Sequence, residues 1–346
     1  MPVIPTGRSG GVILTHRYKI AVYAICKNEA AHAERFMASM GEADAVYILD
    51  TGSDDGSPAR LRSLGAEVQT ADITPWRFDT ARSMALGLVP MDTDICVCCD
   101  LDEVFDPGWR AALEAAWAPG CTRAACRFYY DDRGSFFYRD LIHARRGFVW
   151  AWPVHEALVS LAPEVRVTCE DIRLRHLPDT QKSRAAYLPL LEQAVRDMPG
   201  DVRMLRYLGR EYVYQGQYDR AIPVLERHAA LEPWDAQRAA SLRDLARCRL
   251  YLDDPAGAAG LFRQAIGACP RLREGYVELA QLCLRQAQYG DALLYALGAL
   301  AIHTPDWQYF NEGFAWGPLP WQIAAAAAQA LDLPMAAYYK QKAAEA

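Results

Sequence analysis

The sequence has no long apolar run, no N-terminal leader pattern and no excess of basic residues. Its longest bland stretch, IAAAAAQAL at residues 323–331, is too short to span a bilayer. The start of the chain is interrupted by prolines and by two adjacent glycines, which does not fit a secretory signal. We therefore expect a cytoplasmic protein without a membrane span.

The formal net charge of −6 gives the chain no overall basic field, so we expect no nucleic-acid partner. Small phosphate-containing ligands remain possible partners, because they require only a local positive site. A G-x-G-x-x-G loop is also missing, which disfavours a dinucleotide-binding domain. No glycine-rich phosphate loop with a basic residue opens the chain, and a nucleotidyltransferase is disfavoured for that reason.

The ten cysteines are scattered and do not form the compact framework of a small secreted domain. Cys96 and Cys99 form a C-x-x-C pattern inside an apolar, strand-like run. Neither a second pair nor a nearby histidine completes a zinc site. We predict that both are packing residues in a reducing compartment.

A length of 346 residues exceeds one ordinary hydrophobic core and predicts two domains. Residues 18–120 alternate short apolar runs with helical patterns, which predicts β-α-β units and a mostly parallel sheet. The predicted strands are YKIAVYAI, DAVYILD, AEVQTA and DICVCC, and the predicted helices are EAAHAERFMASM, PARLRSL, FDTARSMALGL and GWRAALEAAWA. Ser57 is the predicted N-cap of the second helix. From Thr122, aromatic strand-like segments are expected to add mixed or antiparallel strands.

After Pro178 the pattern is wholly helical and repeats itself. Pro199, Pro233, Pro270 and Pro305 recur at intervals of 34, 37 and 35 residues, each after a helical run. A period near 34 is typical of tetratricopeptide repeats, and three repeats are predicted. The predicted organisation is a flexible segment at residues 1–17, an α/β domain at 18–178 and an all-α repeat domain at 179–346.

Two carboxylates follow the fourth predicted strand. In an extended chain the side chains of Asp100 and Asp102 would point the same way, about 6 to 7 Å apart. Carboxylates so placed repel each other unless a cation lies beside them. Oxygen ligands of this kind suit Mg²⁺ or Mn²⁺, which bridge to diphosphates. The pattern therefore favours a site for a divalent cation.

Four segments occur in an order that resembles the family 2 glycosyltransferases of GT-A fold, whose domain is a Rossmann-like α/β unit. They are AICKNEA, ILDTGSDDGS, WRFDTARSMAL and CCDLDEVF. The resemblance covers residues 18 to about 178. The later segments PVHEAL and RLRHLPD look like those of the branch that carries C-terminal tetratricopeptide repeats, so nearly the whole chain is similar to that branch.

The resemblance implies a set of donor-binding residues. Asp50 would accept a hydrogen bond from the base of a uridine nucleotide, flanked by Ile25, Cys26 and Glu29. Arg82 would reach the diphosphate, a task that suits the fork of a guanidinium. Asp100 and Leu101 would contact the ribose or the sugar, and Asp102 with His176 would hold the metal. Ser83 stands where the family usually has Asn.

The resemblance also implies a carboxylate base, which takes the proton of the acceptor. Glu156 in VHEAL is our first choice, with Glu103 and Asp171 as alternatives. The role of His155 stays open between structural support and contact with the acceptor. Glu170 and Asp171 are expected at a solvated strand edge.

The expected function is metal-dependent transfer of a sugar from a nucleotide sugar, UDP-sugar first, to a peptide, protein or glycan acceptor, with inversion. The alternative is an interaction scaffold with a catalytically silent α/β domain, in which the aromatic residues of 303–321 line a peptide groove. The repeats would bind either the acceptor or a second copy of the chain in a homodimer. The sequence names neither the sugar nor the acceptor.

Overall fold

The computed structural model describes residues 17–130, 134–178 and 187–346. The first part is a mixed α/β region built on a sheet, and every named element from Tyr187 onwards is a helix. Residues 1–16 of the predicted N-terminal segment lie outside the described residues, as do residues 179–186 at the predicted domain boundary. The predicted domain limits therefore stay predictions.

Eight strands form one sheet in the order β3-β2-β1-β4-β7-β6-β10-β5, and β8 and β9 form a separate hairpin. The strands are β1 (Ile20–Cys26), β2 (Ala45–Asp50), β3 (Glu67–Thr70), β4 (Ile95–Cys98), β5 (Glu103–Phe105), β6 (Arg123–Tyr129), β7 (Phe136–Ala144), β8 (Phe148–Ala151), β9 (Ala157–Ser160) and β10 (Arg166–His176). Strands β1 to β4, β6 and β10 run in one direction, and β5 and β7 run against them. The mostly parallel sheet with added antiparallel strands is confirmed.

Four helices accompany the sheet, at the places that the sequence predicts. They are α1 (Ala33–Met40), α2 (Ser57–Ser63), α3 (Phe78–Leu88) and α4 (Trp109–Ala116). One face of the sheet packs against Phe36 of α1 and Trp109 of α4, both buried. The other face packs against Ala85 of α3 and Trp150 of β8. Two apolar layers thus bury the central strands and hold their ends in place.

Two local predictions were wrong. Ser57 is the first residue of α2 instead of its N-cap, and its hydroxyl donates to Asp55 and accepts from the Glu29 N–H. The chain is also not extended at Asp100, because the N–H of Glu103 donates to the Asp100 carbonyl at 3.0 Å and closes a turn. Strand β5 follows that turn and pairs with the distant β10, a contact that local sequence does not reveal.

The buried cysteines are confirmed. All ten are free and buried, Cys96 and Cys99 among them. Burial raises the pKa of the Cys96 thiol to about 12, so it stays protonated and packs as a small apolar group.

The helical part consists of antiparallel helix pairs, as predicted for tetratricopeptide repeats. Its helices are α5 (Tyr187–Asp197), α6 (Val202–Tyr214), α7 (Tyr218–Leu231), α8 (Asp235–Tyr251), α9 (Pro255–Ala268), α10 (Arg273–Arg285), α11 (Tyr289–Leu300), α12 (Gly313–Trp316), α13 (Leu319–Ala330) and α14 (Ala336–Glu345). Helices α6 with α7, α8 with α9 and α10 with α11 are the three predicted repeats, and Pro233 and Pro270 each lie just after the second helix of a pair. In the part of the chain that the structure describes, no helix is long and apolar enough to cross a membrane.

The repeats contact the sheet region at two separate places. Near the first repeat, the indole N–H of Trp152 donates to Asp201 at 2.7 Å, and Val154 is buried among residues of α5 and α6. Beyond the last repeat, the N–H of Tyr138 in β7 donates to the carbonyl of Trp307 at 2.7 Å. The concave side of the repeats therefore faces the sheet region.

The aromatic segment after α11 packs in part against the sheet. Its residues Tyr309, Phe310 and Phe314 also line a cavity with residues of α6 and α8, and a peptide groove there stays a prediction. Trp307 stacks on Tyr138 with ring centroids 5.2 Å apart, and Phe310 packs against Tyr130 and Phe137. These rings bury themselves against the sheet of the same chain, because that contact removes their apolar surface from water.

Candidate active site

The predicted site residues meet at one edge of the sheet. Strands β1, β2 and β4 are parallel, so their carboxyl ends share that edge. Strand β10 runs in the same direction, which brings its last residue, His176, to the edge where Asp100 and Asp102 emerge from β4. The carboxyl edge of a parallel sheet is the usual place for a ligand.

Arg82 of α3 is the centre of the site. Its Nη2 donates to Asp100 at 2.5 Å, and its Nε donates to Glu156 at 2.9 Å. The side chain is only 7% exposed and lies over the ring of Trp150, 5.6 Å from the centroid. One guanidinium thus holds two carboxylates from different parts of the chain in fixed positions.

A second arginine, Arg139 of β7, contacts the turn between Asp100 and Glu103. Its Nη1 lies 2.7 Å from Glu103, which also accepts from the Asp100 N–H at 2.9 Å. Burial acts to raise the pKa of Asp100, but Arg82 and Arg139 outweigh that effect and lower the pKa to about 2. Burial raises the pKa of Glu103 to about 7 against the influence of Arg139. Glu103 therefore braces the turn, and Asp100 stays charged.

Asp102 points away from Asp100 and towards His176. Oδ2 of Asp102 lies 3.1 Å from Nε2 of His176, and the backbone N–H of Leu177 donates to the Asp102 carbonyl at 2.7 Å. The two aspartates therefore have different partners, because the turn between them separates their side chains. The sequence-based expectation that both carboxylates point the same way was wrong for this reason.

Asp102 and His176, the two predicted metal ligands, contact each other. Nδ1 of His176 lies 2.7 Å from the Tyr130 carbonyl, which only accepts hydrogen bonds, so Nδ1 carries a proton. Nε2 then faces a carboxylate and needs either a second proton or a cation. Burial acts to lower the pKa of His176, but the hydrogen bond to Asp102 outweighs it and the pKa is raised.

The backbone carbonyl behind Nδ1 is the kind of partner that orients metal-binding histidines. Among the described residues no group of three or more His, Cys, Asp and Glu side chains could hold a metal. A cation held by Asp102 and His176 would therefore have two protein ligands among the described residues, and such a site stays a prediction.

Asp50 organises the loop after β2. Its Oδ2 accepts from the N–H groups of Gly52 and Ser53 at 3.2 Å each, and its Oδ1 accepts from the Ser53 hydroxyl at 2.5 Å. The residue is paired in register with Cys26 at the end of β1 and is 1% exposed. Contact of Asp50 with a base stays a prediction, as do the roles of Ile25, Cys26 and Glu29 beside it.

The remaining predicted site residues lie in different parts of the structure. The side chain of Leu101 is buried in the core. The ring of His155 stacks on Tyr207 of α6, with centroids 3.8 Å apart. Glu170 is an exposed residue of β10 and forms an ion pair with Arg127. Asp171, the next residue of β10, is also exposed. Neither Glu170 nor Asp171 lines the cavity beside Arg82.

That cavity has a volume of about 490 Å³ and contains Arg82, Asp100, Arg139 and Glu156. Sequence reasoning missed Arg139 as well as two residues of α6, Arg203 and Tyr207, which complete its wall. The only signal for Arg139 is a charge inside an apolar strand pattern. The α6 residues carried no signal, because they reach the site only through the packing of the repeats on the sheet region.

Comparisons with known proteins leave the family of this chain open. No family model matches it. Similar solved structures include the crystal structure of MamA protein, with 18% identity and a TM-score of 0.38 over 46% of this chain and 79% of that chain. MamA 41-end from Desulfovibrio magneticus RS-1 has 17% identity and a TM-score of 0.38, over 46% of this chain and 84% of that chain. Pseudomonas aeruginosa pilF has 16% identity and a TM-score of 0.37, over 44% and 64%. At these TM-scores the likeness carries no argument, and function has to be inferred from the site.

Proposed function

We propose that this protein is a metal-dependent glycosyltransferase that moves a sugar from a nucleotide sugar, UDP-sugar first, to a peptide, protein or glycan acceptor with inversion. The observation that carries the proposal is the convergence of Arg82, Asp100 and Glu156 with the pair Asp102 and His176 at one sheet edge. Arg82, Asp100 and Asp102 come from two of the four segments whose order resembles the GT-A glycosyltransferases. Glu156 and His176 come from the later segments PVHEAL and RLRHLPD.

The reaction would form one bond and break another at the anomeric carbon of the donor. The acceptor oxygen bonds to that carbon, the bond from the carbon to the diphosphate breaks, and the nucleoside diphosphate leaves with the electron pair. Glu156 takes the proton of the acceptor. Glu156 lines the same cavity as Asp100, and its side chain is 12% exposed. Its carboxylate therefore lies at the proposed site of transfer.

The charge of the leaving diphosphate requires compensation. Arg82 is the nearest guanidinium to Asp100 and would bind diphosphate oxygens. Asp102 and His176 would hold Mn²⁺ or Mg²⁺, which supplies further positive charge to the diphosphate. The loop that Asp50 organises lies at the ends of β1 and β2 and would receive the nucleoside.

Titration calorimetry with UDP and Mn²⁺ tests the proposal directly. We expect the wild-type protein to bind UDP only with the cation, and Asp102→Asn to lose that binding. Asp92→Asn is the matched control, because Asp92 is an exposed partner of Lys19 away from the cavity. Wild-type protein that does not bind UDP, GDP or dTDP with Mn²⁺ or Mg²⁺ would rule the proposal out.

A second candidate function is that of an interaction scaffold with a catalytically silent α/β region. It is favoured by the three helix pairs and by the cavity on their concave side. Hydrolysis of UDP-sugars in the absence of acceptor separates the two candidates. Measurable release of UDP, lost in Asp102→Asn and kept in Asp92→Asn, supports the transferase, and its absence for UDP-, GDP- and dTDP-sugars supports the scaffold.

A further inference from the structure

A second cavity lies on the concave side of the repeats. Its volume is about 590 Å³, and its walls come from α6, α7, α8 and the segment around Tyr309. A volume of this size suits a small molecule. We call this cavity the chamber; Tyr130 and Ser135 of the sheet region also line it.

Arginine dominates the wall of this chamber. The wall contains five arginines, Arg203, Arg206, Arg210, Arg243 and Arg247, and three carboxylates, Glu232, Asp244 and Glu312. The wall therefore has more arginines than carboxylates, although the whole chain is acidic and Glu278, outside the wall, also pairs with Arg243 and Arg247. A local excess of this kind attracts an anion.

Three of the arginines form ion pairs with carboxylates. Arg206 lies 2.5 Å from Asp244, and Arg243 and Arg247 share Glu312 at 2.5 and 3.2 Å. These ion pairs are largely buried, and they fix the helices that form the wall.

The other two arginines have no carboxylate within 4 Å in the described parts of the chain. Nε of Arg210 donates to the Tyr214 hydroxyl at 2.8 Å, and Nε of Arg203 donates to the His155 carbonyl at 3.0 Å. A guanidinium has five N–H donors, so both side chains keep donors for a ligand. Their fork geometry matches phosphate oxygens.

The chamber adjoins the cavity of the candidate active site. Arg203 and Tyr207 line both cavities. The ring of Tyr207 stacks on His155, which lies next to Glu156 in the chain. A ligand held in the chamber would therefore contact residues that also line the cavity of Glu156.

We propose that the chamber binds the phosphate group of a phosphorylated saccharide, which is the acceptor of the transfer. Arg210 and Arg203 bind the phosphate, and Tyr207 and Tyr214 provide ring surfaces for the sugar. The sugar then lies beside Tyr207, a residue that the chamber shares with the cavity of Glu156. The role as acceptor rests on the proposed function, whereas the anion site itself does not depend on it.

Calorimetry without nucleotide or metal tests the anion site. The probes are glucose 6-phosphate, inorganic phosphate and glucose. We expect both phosphate-containing probes to bind the wild-type protein and glucose not to bind. Arg210→Gln and Arg203→Gln should each weaken binding of glucose 6-phosphate by about tenfold or more, because each removes a charged donor pair.

Matched controls locate the site. Arg227→Gln changes an exposed arginine of α7 outside the chamber and should bind like wild type. Arg210→Lys, which keeps the charge, shows by circular dichroism and by partial binding whether a loss in Arg210→Gln comes from the ligand contact or from misfolding.

Three outcomes would overturn the proposal. They are no binding of either phosphate-containing probe to the wild-type protein, equal binding in Arg210→Gln, Arg203→Gln and wild type, or binding of an acidic peptide while glucose 6-phosphate fails. Binding of UDP with Mn²⁺ is measured in the same samples. If that binding is present and the phosphate probes fail, only this inference is lost; if the phosphate probes bind and UDP does not, only the proposed function is lost.

Discussion

Nε2 of His176 lies 3.1 Å from Oδ2 of Asp102, although 74 residues separate them in the chain. The contact joins the end of β10 to the turn after β4. It places an imidazole nitrogen and a carboxylate oxygen side by side at the sheet edge where Asp100 contacts Arg82.

Removal of this imidazole should weaken the binding of Mn²⁺. We expect His176→Gln to weaken Mn²⁺-dependent binding of UDP by about tenfold or more, because the imidazole proposed to bind the metal is lost from the site. Titration of Mn²⁺ in the presence of UDP measures the change. His303→Gln alters an exposed histidine and is the control. Equal Mn²⁺ affinity in both variants would contradict the assignment of His176.

Replacement of Arg82 by lysine should reduce donor hydrolysis. Arg82 uses Nε and Nη2 for two different carboxylates, and an ammonium group lacks this fixed fork. We expect Arg82→Lys to reduce donor hydrolysis by about 100-fold, which corresponds to about 2.7 kcal/mol of transition-state stabilisation. The exposed Arg146→Lys should keep wild-type hydrolysis. Wild-type hydrolysis in Arg82→Lys would show that the double contact is dispensable.

The close approach of α6 and α7 should not tolerate a methyl group at Gly209. A Cβ at this position would lie 2.6 Å from Cδ2 of Leu225. We expect Gly209→Ala to lower the free energy of unfolding by about 1 to 3 kcal/mol. Gly260→Ala in α9 is the control, because no atom lies within 4 Å of its Cβ position, and it should be neutral or stabilise by up to about 1 kcal/mol. Urea denaturation of both variants compares them, and a stable Gly209→Ala would show that the helices can move apart.

Acid should destabilise the protein through His228. The residue is buried between α7 and α8, with Ser241 at 2.8 Å from Nδ1 and Glu232 at 3.1 Å from Nε2. Burial lowers the pKa of His228 to about 4, Arg206 acts in the same direction, and Asp244 opposes it. The folded state thus binds its proton less readily than the unfolded chain. The neutral form contributes stability at neutral pH that is lost as the pH falls from about 6.5 to about 4.

The loss from this residue amounts to about 3 kcal/mol at pH 4. Urea denaturation between pH 7 and pH 4 should therefore show a smaller decline in His228→Gln than in the wild-type protein. His303→Gln, at an exposed position, should decline like wild type. Parallel curves for His228→Gln and wild type would refute the role of His228. Ser241 is fully buried, so the contact of its hydroxyl with His228 is structural.

Sequence patterns predicted much of the fold. The alternation of apolar runs and helical patterns predicted β1 to β4 and α1 to α4, because burial of a strand or of a helix face is a local property of the residues. The spacing of Pro199, Pro233, Pro270 and Pro305 predicted the helix pairs in the same way. Strand β5 was missed because its three residues form a strand only by pairing with β10.

The candidate site was predictable only as a set of residues and not as a geometry. The motifs singled out Arg82, Asp100, Asp102 and His176, since acidic and basic residues at strand ends are visible in the sequence. The turn closed by the Glu103 N–H decided that Asp100 faces Arg82 while Asp102 faces His176. This single turn gives the two carboxylates different partners.

The sequence by itself determined the strand and helix order, the repeat period and the chemical types at the sheet edge, because these follow from local periodicity and composition. Only the tertiary structure decided that Arg139 supports the turn and that Arg203 and Arg210 keep donors free of carboxylates inside a chamber. The reason is that charge pairing in a folded chain depends on which distant side chains packing brings within a few ångströms.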